Sequence, residues 1–214
     1  MSIFKTILII SSVLFIAGCS TKNNFEESYR GMTEYAELSE YCYNSSPNIV
    51  NVNKITEKEI FEFMQKGYIP IGHELFYLTG TEKLENLNTF AKKIGACSVL
   101  ISERILETSQ NFEYAVVYFT KSKKNSLGIF VKDFTDDLKK QHSRNNGVYV
   151  VCIVDNSLAY HANIIVGDII NSVNGHMINN SSEFKKINLN NGINEFEIIR
   201  DGKKIIKKIN YSNN

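Results

Sequence analysis

The sequence predicts an α+β chain built in two parts: a small α/β module, then a partly open β-barrel with two helices. Three observations predict it. Between residues 48 and 122, apolar runs of helical period alternate with runs of strand character. A polar break, K-S-K-K-N-S over 121–126, separates that region from the rest. Beyond the break, short strand patterns follow one another at turn signals, with only two places where a helix fits. A length of 214 residues is enough for two small domains.

The first residues stand apart from both modules. Residues 1–5 carry one positive charge, and 6–18, T-I-L-I-I-S-S-V-L-F-I-A-G, carry none. The run is too short for a bilayer-spanning helix, which needs about 20 residues. It has the length of a signal-peptide core ending in small residues. Ile16-Ala17-Gly18-Cys19 resembles the lipobox of bacterial lipoproteins. That resemblance implies cleavage after residue 18 and lipidation of Cys19, which would become the N-terminus. Two or more acyl chains hold a protein stably to a membrane, where one holds it only marginally. Ser20 in place of an aspartate resembles the outer-membrane pattern of Gram-negative lipoproteins. Residues 19–47 read as a polar tether with a helix around Tyr29 to Tyr41.

A net charge of +1 gives no electrostatic footprint for nucleic acid. Setting Cys19 aside leaves Cys42, Cys97 and Cys152, an odd count that requires a free thiol. Cys152 lies in the strand pattern V-Y-V-V-C-I-V and reads as a buried small hydrophobe. A Cys42–Cys97 disulfide is then the remaining pairing in an oxidising compartment. No C-x-x-C spacing occurs, so neither a redox motif nor a structural zinc site is expected, and no cofactor is implied.

In the first module, over 48–122, Thr56-x-x-Glu59 reads as a capping box that opens a helix bearing Ile60, Phe63 and Met64 on one face. Gly67 ends it. Tyr68 to Leu78 is strand-like, with Pro70 arguing for an irregular start or a sheet edge. Leu84, Leu87, Phe90, Ala91 and Ile94 mark a second helix, with Lys92 and Lys93 in its last turn and Gly95 after it. A-C-S-V-L-I-S and F-E-Y-A-V-V-Y-F-T are two further strands. The strand-helix-strand order suggests a parallel pair joined by a right-handed crossover. Residues 68–72 with 91–100 loosely resemble small modules of other bacterial lipoproteins.

After the break, over 126–212, L-G-I-F-V-K-D-F is a short strand entered through Gly128, and 133–141 can form a helical turn. Asn145-Asn146-Gly147 is a turn, 148–154 a strand, and Ser157 the N-cap of L-A-Y-H-A. Gly167-Asp168 breaks the chain before a strand over 169–173. Asp168 reads as a turn residue bonding nearby backbone N–H groups, not as a catalytic acid. Asn174-Gly175 is a hairpin signal, Ser181 or Ser182 caps a helix with Phe184 and Ile187, and Asp201-Gly202 joins two final strands.

Leu127-Gly128-Ile129, 147–150, Ser157-Leu158-Ala159, 167–170, Asn174-Gly175 and Arg200-Asp201-Gly202 together resemble the PDZ domain in the form found in bacterial HtrA proteases. The pattern departs at Ser157-Leu158-Ala159, usually Ser-Pro-Ala, and at Ala162-Asn163-Ile164, usually Ala-Gly-Leu. The resemblance implies capture of protein C-termini or extended peptides by strand addition. The implied peptide-binding residues are Leu127, Gly128, Ile129, Phe130 and Val131 on the strand side, and Phe184 and Ile187 from a far wall over 182–189.

Neither a G-x-S-G nucleophile turn nor H-E-x-x-H occurs. His73 beside Glu74, or with Cys97, offers a catalytic pair on paper, but no nucleophile motif accompanies it and it reads as a strand histidine. The expectation is a non-enzymatic lipoprotein of the cell envelope, in the outer membrane facing the periplasm, that gathers protein partners. The alternative is a structural or sensory lipoprotein whose α/β module does the work, with the PDZ part as a docking platform. A hydrolase using His73 is the third, weaker reading.

Overall fold

The computed structural model describes residues 28–32, 36–79, 85–105, 111–123 and 127–212. Cys19, the expected signal segment over 1–18 and Leu84 lie outside these residues. The chain divides into two compact units that meet in sequence near residue 124.

The first unit is one mixed sheet. Its strands are β1 (Arg30–Gly31), β2 (Ser39–Glu40), β3 (Asn48–Val52), β4 (Tyr68–Thr79), β5 (Ser98–Ile105) and β6 (Asn111–Ser122), in the order β1-β4-β6-β5-β3, with β2 also pairing β6. The helices are α1 (Glu57–Gln65) and α2 (Glu85–Lys93). The capping box of α1 forms: Thr56 N–H donates to Glu59 Oε2 at 2.9 Å, and Lys58 N–H donates to Thr56 Oγ1 at 3.2 Å. Two helices serve two faces of the sheet. Leu87, Phe90 and Ala91 of α2 pack with Val99, Ile101, Val116 and Tyr118. Phe63 of α1 stacks on Phe119, which alternates to the opposite face from Tyr118.

Two expectations fail here. β4 and β5 are not neighbours, because β6 lies between them and pairs antiparallel with both. Val116 to Phe119 are buried on both faces, and a strand apolar on both faces belongs at the centre of a covered sheet. The parallel pair is instead β3 with β5. Pro70 accordingly sits on an interior strand, where the register with β6 shifts between Pro70 and Gly72. The expected helix around Tyr29 to Tyr41 is also not seen among the described residues. That stretch holds β1, a 3-10 turn at Ala36–Leu38 and β2, all within the first unit. Tyr29 explains why: its ring covers Gly72, where an added Cβ would sit 2.2 Å away, and meets Phe90 and Tyr118 edge-on. Its hydroxyl donates to Ile71 O at 2.8 Å. Cys42 and Cys97 form a disulfide with Cα atoms 5.0 Å apart, 55 residues apart in sequence. Closing a loop of that length stabilises the fold by about 4 kcal/mol in the chain-entropy model.

The second unit is an antiparallel sheet in the order β12-β11-β9-β8-β7, with β10 on β9. Its strands are β7 (Ile129–Lys132), β8 (Val148–Ile153), β9 (Ile169–Val173), β10 (His176–Met177), β11 (Gly192–Arg200) and β12 (Lys203–Tyr211). Among the described residues the two expected helices, α4 (Leu158–His161) and α5 (Ser181–Lys185), accompany them, and the helical turn expected over 133–141 forms α3 (Asp136–His142). Ser157 caps α4 as expected, accepting from Tyr160 N–H. Asn180, not a serine, caps α5. Both hairpin turns take the left-handed conformation their residues favour, with φ of 50° and 79° at Asn174-Gly175 and 51° and 72° at Asp201-Gly202.

Asp168 is fully buried and structural. It accepts from Ile165 N–H at 3.0 Å, as a turn residue should. It also accepts two bonds from Arg200, Nε to Oδ1 at 2.7 Å and Nη2 to Oδ2 at 2.8 Å. This bidentate pair fastens the α4–β9 connector to the end of β11. Replacing Asp168 by Ala leaves a guanidinium without its partner. The second unit is expected to lose about 3 kcal/mol in urea unfolding, the low end for a broken buried pair because Arg200 is partly exposed.

Candidate functional site

The outer edge of β7 has no strand partner among the described residues. Its geometry follows from its neighbour. Val154 N–H donates to Gly128 O at 2.9 Å, which makes Gly128 and Val154 a hydrogen-bonded pair. The next pair, Ile129 with Ile153, is then a non-bonded one, and the N–H and C=O of Ile129 face outward. One step on, Val131 lies opposite Val150, whose own N–H donates to Asp168 O and whose C=O accepts from Gly167 N–H. Val150 therefore turns its polar groups away from β7, and those of Val131 face outward too. The edge thus presents two donors and two acceptors in strand spacing.

Beside that edge lies an apolar wall. Ile129, Val131 and Phe184 are buried in the core cluster, and Leu127, Ile187 and Leu189 pack against it partly exposed. The structure therefore brings together Leu127, Ile129, Val131, Phe184 and Ile187. Phe130 departs from the group: strand alternation turns it to the other face of the sheet, where it is buried. The expected far wall over 182–189 is shorter. α5 ends at Lys185, and the following K-I-N-L-N-N over 186–191 runs as loop before β11. Asparagines bond local backbone in place of helix. The buried Asn194 takes that role, exchanging bonds with Asn190 N–H and C=O at 2.9 and 2.8 Å.

Gly128 is held at φ 72°, with a built Cβ 2.2 Å from Ser157 Cβ. Only glycine fits there, because the loop before β7 closes against the N-cap of α4. Leu127 O accepts Ala159 N–H at 3.1 Å, which ties the loop to the same helix. Sequence reasoning missed two residues here. Arg200 stood in a quoted motif without its partner Asp168. Asp133, just beyond β7, accepts Ser181 N–H at 2.5 Å, and no local pattern signals that bond.

The first unit holds the other polar cluster. Glu74 is buried on β4 and accepts from Tyr118 Oη and from Ser28 Oγ, the latter at 2.8 Å. Burial raises its pKa above the usual carboxylate value, against the pull of both hydroxyls. His73 is half-buried opposite Val117, and its pKa is lowered by burial and by nearby Arg30. Neighbours on a strand point to opposite faces, so His73 and Glu74 do not form a dyad. Cys97 is in the disulfide. Cys152 is a buried free thiol whose pKa burial pushes up to about 12, far from thiolate chemistry at neutral pH. Among the described residues no three His, Cys, Asp or Glu side chains are placed to hold a metal ion.

A family model of the PDZ domain matches residues 116–199, well under half of the chain. The match begins within β6 and stops before β12. Most of the matched residues fall in the second unit. No curated protein matches the chain. Among solved structures, the HtrA3 PDZ domain bound to a phage-derived ligand is 28% identical at a TM-score of 0.38, covering 42% of this chain and 86% of that one. The HtrA-type protease AlgW with a decapeptide is 15% identical at 0.36, covering 44% of this chain and 36% of that one. AlgW with a tripeptide is likewise 15% identical at 0.36, covering 38% of that chain. The matched region therefore spans little more than a third of the AlgW chain.

The raised pKa of Glu74 has a consequence for stability. The folded state holds this proton more tightly than the unfolded chain does. The contribution is complete below the ordinary value of 4.5 and is lost as pH rises through the higher folded value. A Glu74→Gln variant is expected to lose that part of the pH dependence and to gain on the parent as pH rises. Urea midpoints of both proteins across acid to neutral pH check it; parallel curves would contradict it.

Proposed function

We propose that this is a lipid-anchored protein of the bacterial cell envelope that binds protein C-termini along the free edge of β7. One observation carries the reading: the outward N–H and C=O groups of Ile129 and Val131 stand beside the apolar wall of Leu127, Phe184 and Ile187. An extended peptide adds as a strand there. Backbone bonds supply affinity, and the apolar wall selects the side chains. The backbone N–H groups around Leu127-Gly128-Ile129 receive the terminal carboxylate. PDZ domains are peptide-binding modules, and the family match supports this use of the edge. The lipobox residues 16–19 support the anchor at Cys19, and Ser20 favours the outer membrane over the inner. The protein acts as an adaptor without catalysis of its own.

A second reading makes the α/β unit the working part and the PDZ domain its docking platform. The buried Glu74 is the observation that favours it, since burial works against its charged form even with two hydroxyl partners. Removing residues 126–214 separates the two: partners that persist in detergent pulldowns would support the second.

Display of random peptides with free C-termini is expected to enrich apolar last residues. Ile187→Lys is expected to weaken the selected peptides at least about tenfold, the effect of a charge in an apolar pocket. Gly128→Glu is a poorer probe, because its side chain collides with Ser157 and disturbs the fold. Absence of enrichment, or binding indifferent to Ile187→Lys, would remove the groove reading. The anchor is checked separately: labelled palmitate should enter the parent and not Cys19→Ala, and equal labelling would refute it.

A further inference from the structure

Among the described residues, the two strand orders end at β1, β3, β7 and β12. An open edge invites another strand, and proteins blunt such edges by shortness or with lysine. β1 has two residues, one of them Arg30. β12 carries Lys203, Lys204, Lys207 and Lys208. β3 has neither device: it is five residues long and reads N-I-V-N-V, without a charge. Its polar groups are set for pairing. Asn48 N–H donates to Cys97 O at 3.0 Å, and Asn48 O accepts from Ser98 Oγ at 2.8 Å, so Asn48 faces β5. By alternation Val50 and Val52 face β5 as well, and the N–H and C=O of Ile49 and Asn51 face outward. Ile49 and Asn51 are also exposed at their side chains.

We propose that β3 pairs with β3 of a second copy of this chain, antiparallel about a two-fold axis at Asn51. Charge selects a copy as the occupant. A two-fold contact sets a patch against itself, so charges on it meet their like. Residues 48–53, N-I-V-N-V-N, carry none, whereas β12 on itself would oppose lysines. The outward groups then fix the axis, because outward residues must meet outward residues. An axis at Asn51 sets Asn51 against Asn51, Ile49 against Asn53 and Val50 against Val52. The two Asn51 side chains each donate and accept across the axis. The Val50–Val52 pairs close the other face, and Lys54 falls opposite the neutral Asn48. An axis one residue earlier would set Asn53 against Pro47, which has no N–H to give.

The test uses the full-length protein in detergent. Sedimentation of the parent is expected to show a reversible dimer. Asn51→Lys and Asn51→Asp, each opposing like charges at the axis, should weaken it about fivefold or more. An equimolar mixture of the two should pair again, which a variant that merely misfolds would not do. Cysteine substitution checks the register. In Asn51→Cys the paired Cα atoms stand about 5.5 Å apart, inside the disulfide range, so mild oxidation should link two copies. In Ile49→Cys they stand more than about 13 Å apart, and no link should form. A parent that stays monomeric at every concentration, a dimer that neither charge variant weakens, or a link through Ile49→Cys in place of Asn51→Cys overturns the proposal. So does Asn51→Cys protein that links in cells to a different protein and not to itself, since another strand would then own this edge.

Discussion

The Gly167-Asp168 turn is the fastening on which the second unit depends. Its side chain takes the Arg200 guanidinium and so closes the α4–β9 connector against β11. Its backbone, with that of Gly167, takes both polar groups of Val150. That second role reaches across the sheet. Because Val150 is occupied on one side, Val131 opposite it is left facing outward. The buried ion pair and the binding edge are therefore two ends of one arrangement. The carboxylate holds the turn, and the turn's backbone leaves the polar groups of Val131 on the outward side of β7. Buried ion pairs add little net stability over a packed apolar pair, and this one matters for the register it imposes.

The groove is shaped by short elements held from outside. α5 has five residues and cannot stand alone. It is set by Phe184 in the core, by Asn180 at its own start and by Asp133 from the strand side. The loop before β7 is set in the same manner, with Gly128 pressed against Ser157 and Leu127 bonded to Ala159. α4 thus shapes the entry to β7 although it lies far along the chain. The first unit uses covalent and aromatic ties instead. The Cys42–Cys97 disulfide and the Tyr29 ring over Gly72 bring residues near the N-terminus onto the sheet. Glu74 sits among Tyr118 and Ser28, so this buried carboxylate touches both the core and the incoming chain.

Legibility in the sequence followed the range of the interaction. The capping box at Thr56 and Glu59, the N-cap at Ser157 and the turns at Asn174-Gly175 and Asp201-Gly202 are local, and each formed where its residues stand. The disulfide was reached by elimination among four cysteines. Of the expected site residues, Ile129, Val131 and Phe184 belong to the core cluster of the second unit, Leu127 and Ile187 pack against it, and Phe130 turns to the other face. The far wall was read too long because the phenylalanine–isoleucine spacing of a helix continues past Lys185, whereas the asparagines beyond it bond local backbone, as Asn194 does with Asn190 four residues earlier.

The sequence by itself determined the two-part α+β organisation, the turns and caps, and the run of motifs that marks the second unit. It could do so because each of these depends on a few adjacent residues whose backbone preferences do not change with context. Tertiary structure decided the rest. β6 entered between β4 and β5 because its two apolar faces require cover on both sides, a demand that the β4–α2–β5 pattern does not contain. Arg200 found Asp168, and Asp133 found Ser181, across 32 and 48 residues. Such bonds form when strands settle into register, and register is a competition among all the strands at once rather than a property of any one segment.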